Sequence, residues 1–228
     1  MHKINDIVKR EIFNPSIDLT ADYSSLLIDN FVKDNSILEE IPLLKTIVAG
    51  TNIGLAIKER FFVKKFLNFL TEFHNGDLNE RDLTEFKWKM DSKPNYKDKV
   101  IETLVIMIDR HSIVNQSKIM ANLFISHIKE DIDWNRFNAL CIVLEKLHPH
   151  SYQTLYDMSL NSDDNLSRSY WGSARSGGHP DDRNIYRLNQ EDEALLISSG
   201  LISPEGSNYI VSPLGRDIFK YGILPLFV

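Results

Sequence analysis

Two clusters of histidine and aspartate have types and spacings that could support metal binding. Residues 148–150, His-Pro-His, place two imidazoles close together. No carboxylate or cysteine stands at ligand spacing nearby, and the proline makes the imidazoles point apart, so an exposed helix end is the preferred interpretation. His179, Asp181 and Asp182 could together hold a cation, but the Gly-Gly-His-Pro-Asp string is more typical of a polar turn. These patterns therefore favour turns over a metal site.

Two further residues could take part in catalysis. His111 follows Asp109 and Arg110 at the end of a predicted buried helix, where it could act as a general base, but no serine or cysteine around it has a recognisable nucleophile motif. Cys141, the single cysteine, lies on an apolar helical pattern that predicts a buried structural thiol. The chain has no GxGxxG and no GxxxxGK[ST] motif. We therefore expect a protein that is not an enzyme and has no cofactor.

The elements that must position these residues are organised around residues 41–73, where a nearly uncharged run becomes a basic helix. Residues 41–57 carry Lys45 as their only charge, and Gly50 and Gly54 have the spacing that lets helices approach closely in membranes. A helix of seventeen residues falls short of a hydrocarbon core of about 30 Å. A buried helix of a soluble protein is the preferred interpretation of this run.

From residue 62 the apolar side chains recur at helical spacing, which predicts a helix with one buried face. This stripe consists of Phe62, Phe66, Phe69, Leu70 and Phe73. The preferred interpretation is an ordinary surface helix, in which Lys58 and Lys65 lay their stems over apolar neighbours and keep their ammonium groups in water. The alternative is a membrane-seeking element over 41–73. In that case the glycines would form a helix contact and the lipid headgroups would meet Lys58, Arg60, Lys64 and Lys65.

Composition and charge limit the function classes. The chain has 228 residues, of which 43% are hydrophobic and 25% charged, as in soluble globular proteins of one large or two small domains. A net charge of −6 argues against a surface that follows a phosphate backbone throughout. The first residues show no continuous apolar stretch and no cleavage site typical of a secretory signal. We expect a cytoplasmic protein, peripheral at the inner membrane if residues 41–73 bind lipid.

Up to residue 150 the sequence predicts a bundle of helices. Helical spacing recurs over residues 79–90, 100–108, 117–130 and 133–147. The second of these is apolar on nearly every face, which predicts the centre of the core, and Asp133 is the predicted cap of the last. The lysine-rich stretch 87–99 contains Pro94 and is predicted to be a solvated connection rather than a phosphate site. No run alternates for long enough to require a sheet, so we expect a compact helical bundle.

After residue 150 the character of the chain changes. A predicted helix leads into a long polar loop over 161–188, and loops of this length are either mobile or functional. An acidic helix start, a glycine, two short strands and a last short helix follow, which is the order of a winged helix. We therefore expect a mainly α protein, with a helical bundle over residues 1–150 and a small winged-helix-like C-terminal module over 151–228.

The helix before the wing indicates which class of partner, nucleic acid or protein, the module is suited to bind. In a winged helix this element enters the DNA groove, and here it begins with Glu191, Asp192 and Glu193. Phosphates would repel three carboxylates, so the helix is better suited to packing or to a protein partner. A nucleic-acid-binding regulator would have to use the loop arginines Arg168, Arg175, Arg183 and Arg187. Binding to a protein partner or self-association is preferred, with that regulator and a subunit of a larger complex as alternatives.

Several stretches together resemble a known family. They are residues 41–46 and 54–67, residues 118–128 followed by Trp134 and Phe137, and residues 200–202 and 212–215. This combination resembles small bacterial proteins of the abortive-infection alpha type, and the similarity extends over most of the chain. The resemblance implies a cytoplasmic helical component of phage defence, and it supplies no catalytic residues. We expect a non-enzymatic interaction or effector protein.

Overall fold

The structure is a computed structural model that describes residues 8–10, 12–13, 57–162, 190–205 and 208–227. These residues are mainly α-helical, which confirms the predicted fold class. The helices are α1 (Ile57–Asn75), α2 (Glu80–Ser92), α3 (Pro94–Arg110), α4 (Val114–Ile128), α5 (Trp134–Lys146), α6 (Ser151–Ser162), α7 (Gln190–Ser198) and α8 (Pro213–Ile218). Strands β1 (Ile202–Glu205) and β2 (Asn208–Val211) lie between α7 and α8, and α8 continues as a π-helical turn, Phe219–Ile223, and a 3-10 turn, Leu224–Phe227.

The chain divides into two compact units, Met1–Phe137 and Asn138–Val228. This boundary falls inside α5, earlier in the chain than the change of sequence character at residue 150. The domain bounds 1–150 and 151–228 therefore stay a prediction.

The core of the first unit forms where α1 packs against α4. The predicted phenylalanine stripe of α1 is buried, and its rings follow one another at centroid distances of 6.0 to 6.5 Å. Phe124 of α4 lies 6.1 Å from the ring of Phe69 and 5.7 Å from that of Phe73. Full burial of such a side chain contributes about 1.5–3 kcal/mol, so this face stabilises the unit strongly. The predicted burial of the stripe is confirmed, but α1 is buried on more than one face, since Val63, Lys65 and Leu67 are buried as well.

The centre of this core is α4 rather than residues 100–108. Every residue of α4 from Ile119 to Ile128 is buried. In α3, by contrast, Ile106 is 36% exposed and Val105 is only half-buried. The prediction for residues 100–108 was wrong because apolar content shows that a helix is partly buried but does not show how many neighbours surround it.

The lysine-rich stretch over residues 87–99 is helical except at Lys93, so the predicted connection is a sharp corner between two helices. The side chain of Asn79 caps α2 by accepting a 2.8 Å hydrogen bond from the main-chain N–H of Asp82. Pro94 is the first residue of α3, where a missing N–H leaves no hydrogen bond unmade. Lys93 precedes it with φ of −130° and ψ of 81°, outside the helical region that a following proline disfavours.

In the second unit, α7 turns directly into the two-stranded antiparallel sheet. Gly200 has φ of 73° and its N–H donates to the carbonyl of Ile197 at 2.9 Å, while the N–H of Leu201 donates to the carbonyl of Leu196 at 2.9 Å. This pair of bonds is the Schellman ending, for which a left-handed glycine is favoured. Ile202 pairs with Val211 and Ser203 with Ile210 across the sheet. The order helix, strands, helix is present, and the winged-helix assignment stays a prediction.

Candidate functional site

A buried carboxylate joins two helices of the second unit. Asp192, in the first turn of α7, is 3% exposed. Its Oδ1 accepts a hydrogen bond from the Ser151 hydroxyl at 2.9 Å, and its Oδ2 accepts one from the Thr154 hydroxyl at 2.9 Å. Residues three apart share a face of a helix, so both hydroxyls of α6 face the same carboxylate. Hydrogen bonds to a charged acceptor are about twice as strong as neutral ones, and this pair therefore ties α6 firmly to α7.

The next carboxylate joins α7 to the sheet. The hydroxyl of Tyr209 in β2 donates a short hydrogen bond to Oε1 of Glu193, and this bond raises the pKa of the tyrosine because it favours the protonated phenol. Side chains alternate along a strand, so Tyr209 and the buried Val211 lie on one side of β2 and Ile210 on the other. Ile210 is 42% exposed.

These three hydrogen bonds give the acidic start of α7 a structural role. Asp192 and Glu193 are engaged inside the unit, and Glu191 is the exposed member of the three. The expectation that this helix serves in packing is confirmed. Two of the three carboxylates expected to repel a phosphate backbone are instead structural.

The described residues of the second unit carry charges of both signs. Its residues 138–162, 190–205 and 208–227 contain seven acidic side chains and three basic ones, Lys146, Arg216 and Lys220. Ile142 and Ile197 are exposed in addition to Ile210. The four arginines predicted as a nucleic-acid or partner loop, Arg168, Arg175, Arg183 and Arg187, lie outside the described residues. All three basic side chains are exposed, whereas Glu191 alone is exposed among the acidic side chains whose burial is described. The described part of this unit therefore combines exposed apolar positions with charges of both signs.

The residues predicted as a membrane or partner surface are only partly described, and one of them is not on a surface. Gly50 and Gly54 lie outside the described residues. For Lys58 and Arg60 the structure describes only that their backbone forms part of α1. Lys64 is half-buried.

The prediction that Lys65 lies on this surface was wrong. Its side chain is only 4% exposed, so it reaches neither water nor lipid. Its ammonium donates to the main-chain carbonyl oxygens of Asp109 at 2.6 Å and of His111 at 2.9 Å. These carbonyls lie at the C-terminal end of α3, where the helix dipole is negative and favours a cation.

The apolar side of α1 is likewise occupied within the unit, because its phenylalanine stripe packs against α4. Among the helices that the structure describes, none combines the length and the apolar character needed to cross a membrane. The preferred interpretation of this part of the segment as an ordinary surface helix was wrong, because nearly every residue over 62–70 is buried. The interpretation of residues 41–57 as a buried helix falls on side chains outside those that the structure describes.

His111 caps the C-terminal end of α3 and is buried. Its Nδ1 lies 3.4 Å from the Ser117 hydroxyl, and its Nε2 makes no hydrogen bond in the described structure. Burial and the nearby ammonium of Lys65 lower the pKa of the imidazole to about 4. A general base works best with a pKa near the working pH. The geometry therefore describes a neutral core histidine and not an activated base.

His127 forms a second buried network that sequence reasoning missed. Its Nδ1 lies 3.1 Å from the carbonyl oxygen of Ile132, and its Nε2 lies 2.9 Å from the Tyr96 hydroxyl. A carbonyl can only accept, so Nδ1 carries the proton and Nε2 accepts from the tyrosine. Burial lowers the pKa of this histidine, and the ring packs 5.3 Å from that of Trp134. The network stabilises the turn between α4 and α5. No local sequence motif predicts these contacts.

The remaining residues with catalytic or metal-binding potential have structural roles where they are described. Cys141 is fully buried, which raises the pKa of its thiol and confirms the predicted structural cysteine. His148 and His150 are exposed beyond the end of α5, as predicted. Within the ranges that the structure describes, no three histidine, cysteine or acidic side chains are grouped so that they could hold a metal. His179, Asp181 and Asp182 lie outside those ranges.

Comparisons with protein-family models, with curated proteins and with solved structures found no match for this chain. The resemblance to the abortive-infection alpha type therefore stays a prediction.

Proposed function

We propose that this chain is a non-enzymatic interaction protein of bacterial phage defence, and that its second unit binds a protein partner. The phage-defence part rests on the family resemblance. The binding part rests on one observation, which is the use of Asp192 and Glu193 as internal ties. They join α6, α7 and the sheet into one preorganised body, and preorganisation lowers the free-energy cost of association.

The surface of this body suggests the chemistry of the partner. Ile210 lies on the outer side of β2 and Ile197 is exposed on α7. Charged side chains of both signs, Glu191 and Arg216 among them, are exposed on the same unit. Exposed apolar positions accompanied by charged ones fit a protein surface with an apolar centre and a polar rim.

A crosslinking experiment in a bacterial host tests this proposal. A photo-crosslinking amino acid at position 210 should give a discrete protein adduct during phage infection. The same amino acid at position 146, which replaces the exposed Lys146 of the same unit, should give none. Ile210→Asp should also reduce protection in a plaque assay while the far-UV circular dichroism stays unchanged. Absence of an adduct together with unchanged protection would contradict the proposal.

The proposal of a membrane-seeking element over residues 41–73 leads to a different experiment. Membrane insertion would require α1 to give up its contacts with α4, including the ring contact between Phe69 and Phe124. A protein-binding role without a membrane step predicts that the full chain stays in solution when mixed with anionic liposomes at low salt. Flotation of the chain, lost on Gly54→Leu, would instead support the membrane-seeking element.

A further inference from the structure

The corner between α2 and α3 exposes an indole ring. Trp88 is 74% exposed, more than any other large apolar side chain that the structure describes. Tryptophan is highly buried on average, so a ring with this exposure is unusual for its type. Phe86, two residues earlier on the same helix, is buried against Phe124, so α2 is firmly seated and Trp88 projects from a fixed element.

Lysines accompany this ring on both sides of the corner. Lys89 pairs with Glu130 at 3.1 Å, and Lys97 pairs with Asp91 at 2.6 Å. The other three lysines of the corner, Lys87, Lys93 and Lys99, are exposed and form no ion pair within the part of the chain described. Lys93 occupies the single non-helical position of the corner.

Several charged side chains lie near Asp91 in the last turn of α2. The hydrogen bond from Lys97 lowers the pKa of Asp91, and the nearby ammonium groups of Lys9 and Lys87 lower it further. Asp91 lies three residues after Trp88, on the same helix face. Asp91 thus lies near several ammonium groups. Residues 87–99 contain five lysines against two aspartates, Asp91 and Asp98, so the corner that carries Trp88 has a positive surplus.

We propose that this corner surface, defined by Lys87, Trp88, Lys93 and Lys99, binds single-stranded nucleic acid. The indole offers a flat face on which an unpaired base stacks, and the lysines are point charges that contact phosphates. A duplex hides the faces of its bases, and an acidic peptide uses the lysines but has no base to stack. The surface belongs to the first unit, so this inference is independent of the protein-binding site proposed for the second.

The test is a fluorescence-anisotropy titration of the full chain with a labelled oligothymidylate of about 20 nucleotides, longer than a typical single-strand site. We expect binding that weakens as salt increases. Trp88→Ala should weaken it by about 5- to 100-fold, the range that the loss of one stacked base implies, while Trp88→Phe keeps most of the affinity. Lys87→Gln and Lys93→Gln should each reduce the slope of log affinity against log salt by about 0.7.

Two matched variants serve as controls. Lys146→Gln removes an exposed lysine of the second unit, and Phe61→Ala removes another exposed aromatic ring of the first unit, so both should leave the affinity unchanged. A strand of the same length without bases should bind at least about 5-fold more weakly, because it cannot stack. Absence of binding at low salt, equal binding of the abasic strand or of an oligoglutamate peptide, or unchanged affinity on Trp88→Ala would each overturn the proposal. Ile210→Asp should leave this binding unchanged, which separates it from the protein-binding proposal.

Discussion

The ammonium group of Lys65 donates a 2.9 Å hydrogen bond to the main-chain carbonyl oxygen of His111, and a second one of 2.6 Å to that of Asp109. A cation from α1 thereby satisfies two carbonyls at the C-terminal end of α3, where the helix dipole is negative. Burial is the larger cause of the lowered pKa of His111, and the same ammonium group lowers it further. One buried lysine thus helps both to seat two helices and to keep a histidine neutral.

Replacing this lysine should destabilise the first unit. We expect Lys65→Met to lower the free energy of unfolding by about 2–3 kcal/mol, because methionine keeps the apolar stem but leaves the buried carbonyl of His111 and the part-buried one of Asp109 without this donor. Lys146→Met, which changes an exposed lysine, should alter it by about 0.5 kcal/mol or less. Urea unfolding followed by circular dichroism measures both. Equal effects of the two substitutions would mean that the carbonyl contacts of Lys65 contribute little.

The lowered pKa of His111 should make the protein less stable in mild acid. The unfolded histidine binds a proton near its ordinary pKa of 6.5, whereas in the folded protein the imidazole stays neutral down to about 4. Below pH 6.5 the unfolded state therefore binds more protons, and the free energy of unfolding falls as the pH decreases toward 4. Between pH 7 and pH 5 we expect a loss on the order of 2 kcal/mol from this group.

His111→Gln should remove that part of the pH dependence. Urea unfolding at the two pH values measures it, and the exposed His150 provides the control, since His150→Gln should leave the loss unchanged. Burial also lowers the pKa of His127, which adds a loss of the same sign in all the proteins compared. If His111→Gln loses as much stability as the wild type, the depressed pKa of His111 is refuted.

Replacing Asp192 should have a large effect on the stability of the second unit. We expect Asp192→Ala to lower the free energy of unfolding by about 2–4 kcal/mol, because it removes two charge-assisted bonds and leaves the buried Ser151 hydroxyl without this acceptor. Asp192→Asn keeps one acceptor oxygen and should lose less. Glu191→Ala changes an exposed carboxylate in the same helical turn and should have little effect. Thermal unfolding of the three variants checks the order, and a loss in Glu191→Ala as large as in Asp192→Ala would be inconsistent with it.

A side chain added at Gly215 should clash with residues beside the sheet. A Cβ at this position would fall on the main-chain carbonyl oxygen of Leu201 and lie 2.8 Å from Cγ1 of Val211. A backbone oxygen cannot move aside without shifting β1, so Gly215→Ala should cost about 1–3 kcal/mol or more. Gly200→Ala meets no atom within 4 Å and has only the strain of φ at 73°, which costs about 1 kcal/mol. Thermal unfolding should therefore rank Gly215→Ala as the less stable variant, and the reverse order would contradict this close packing.

Local patterns predicted several elements because their causes lie within a few residues. The phenylalanine stripe of α1 follows the helical repeat, and Asp133 caps α5 with a 2.7 Å bond to the N–H of Arg136. The lysine-rich corner was misread because Pro94 looks like a helix breaker, although it is tolerated as the first residue of α3. The sequence could not show which lysine is buried, since the two carbonyls bound by Lys65 lie 44 and 46 residues away.

The sequence by itself determined a mainly helical chain, the buried face of α1, the buried thiol of Cys141 and the acidic start of α7. These properties follow from side-chain type and periodicity, which act over one or two helical turns. Only the tertiary structure decided that Asp192 is an internal tie, that Lys65 is buried at a helix end and that Trp88 is exposed among lysines. Each of these depends on what a side chain meets across the fold, and residues distant in sequence supply the hydrogen-bond partners that make a buried charge stable.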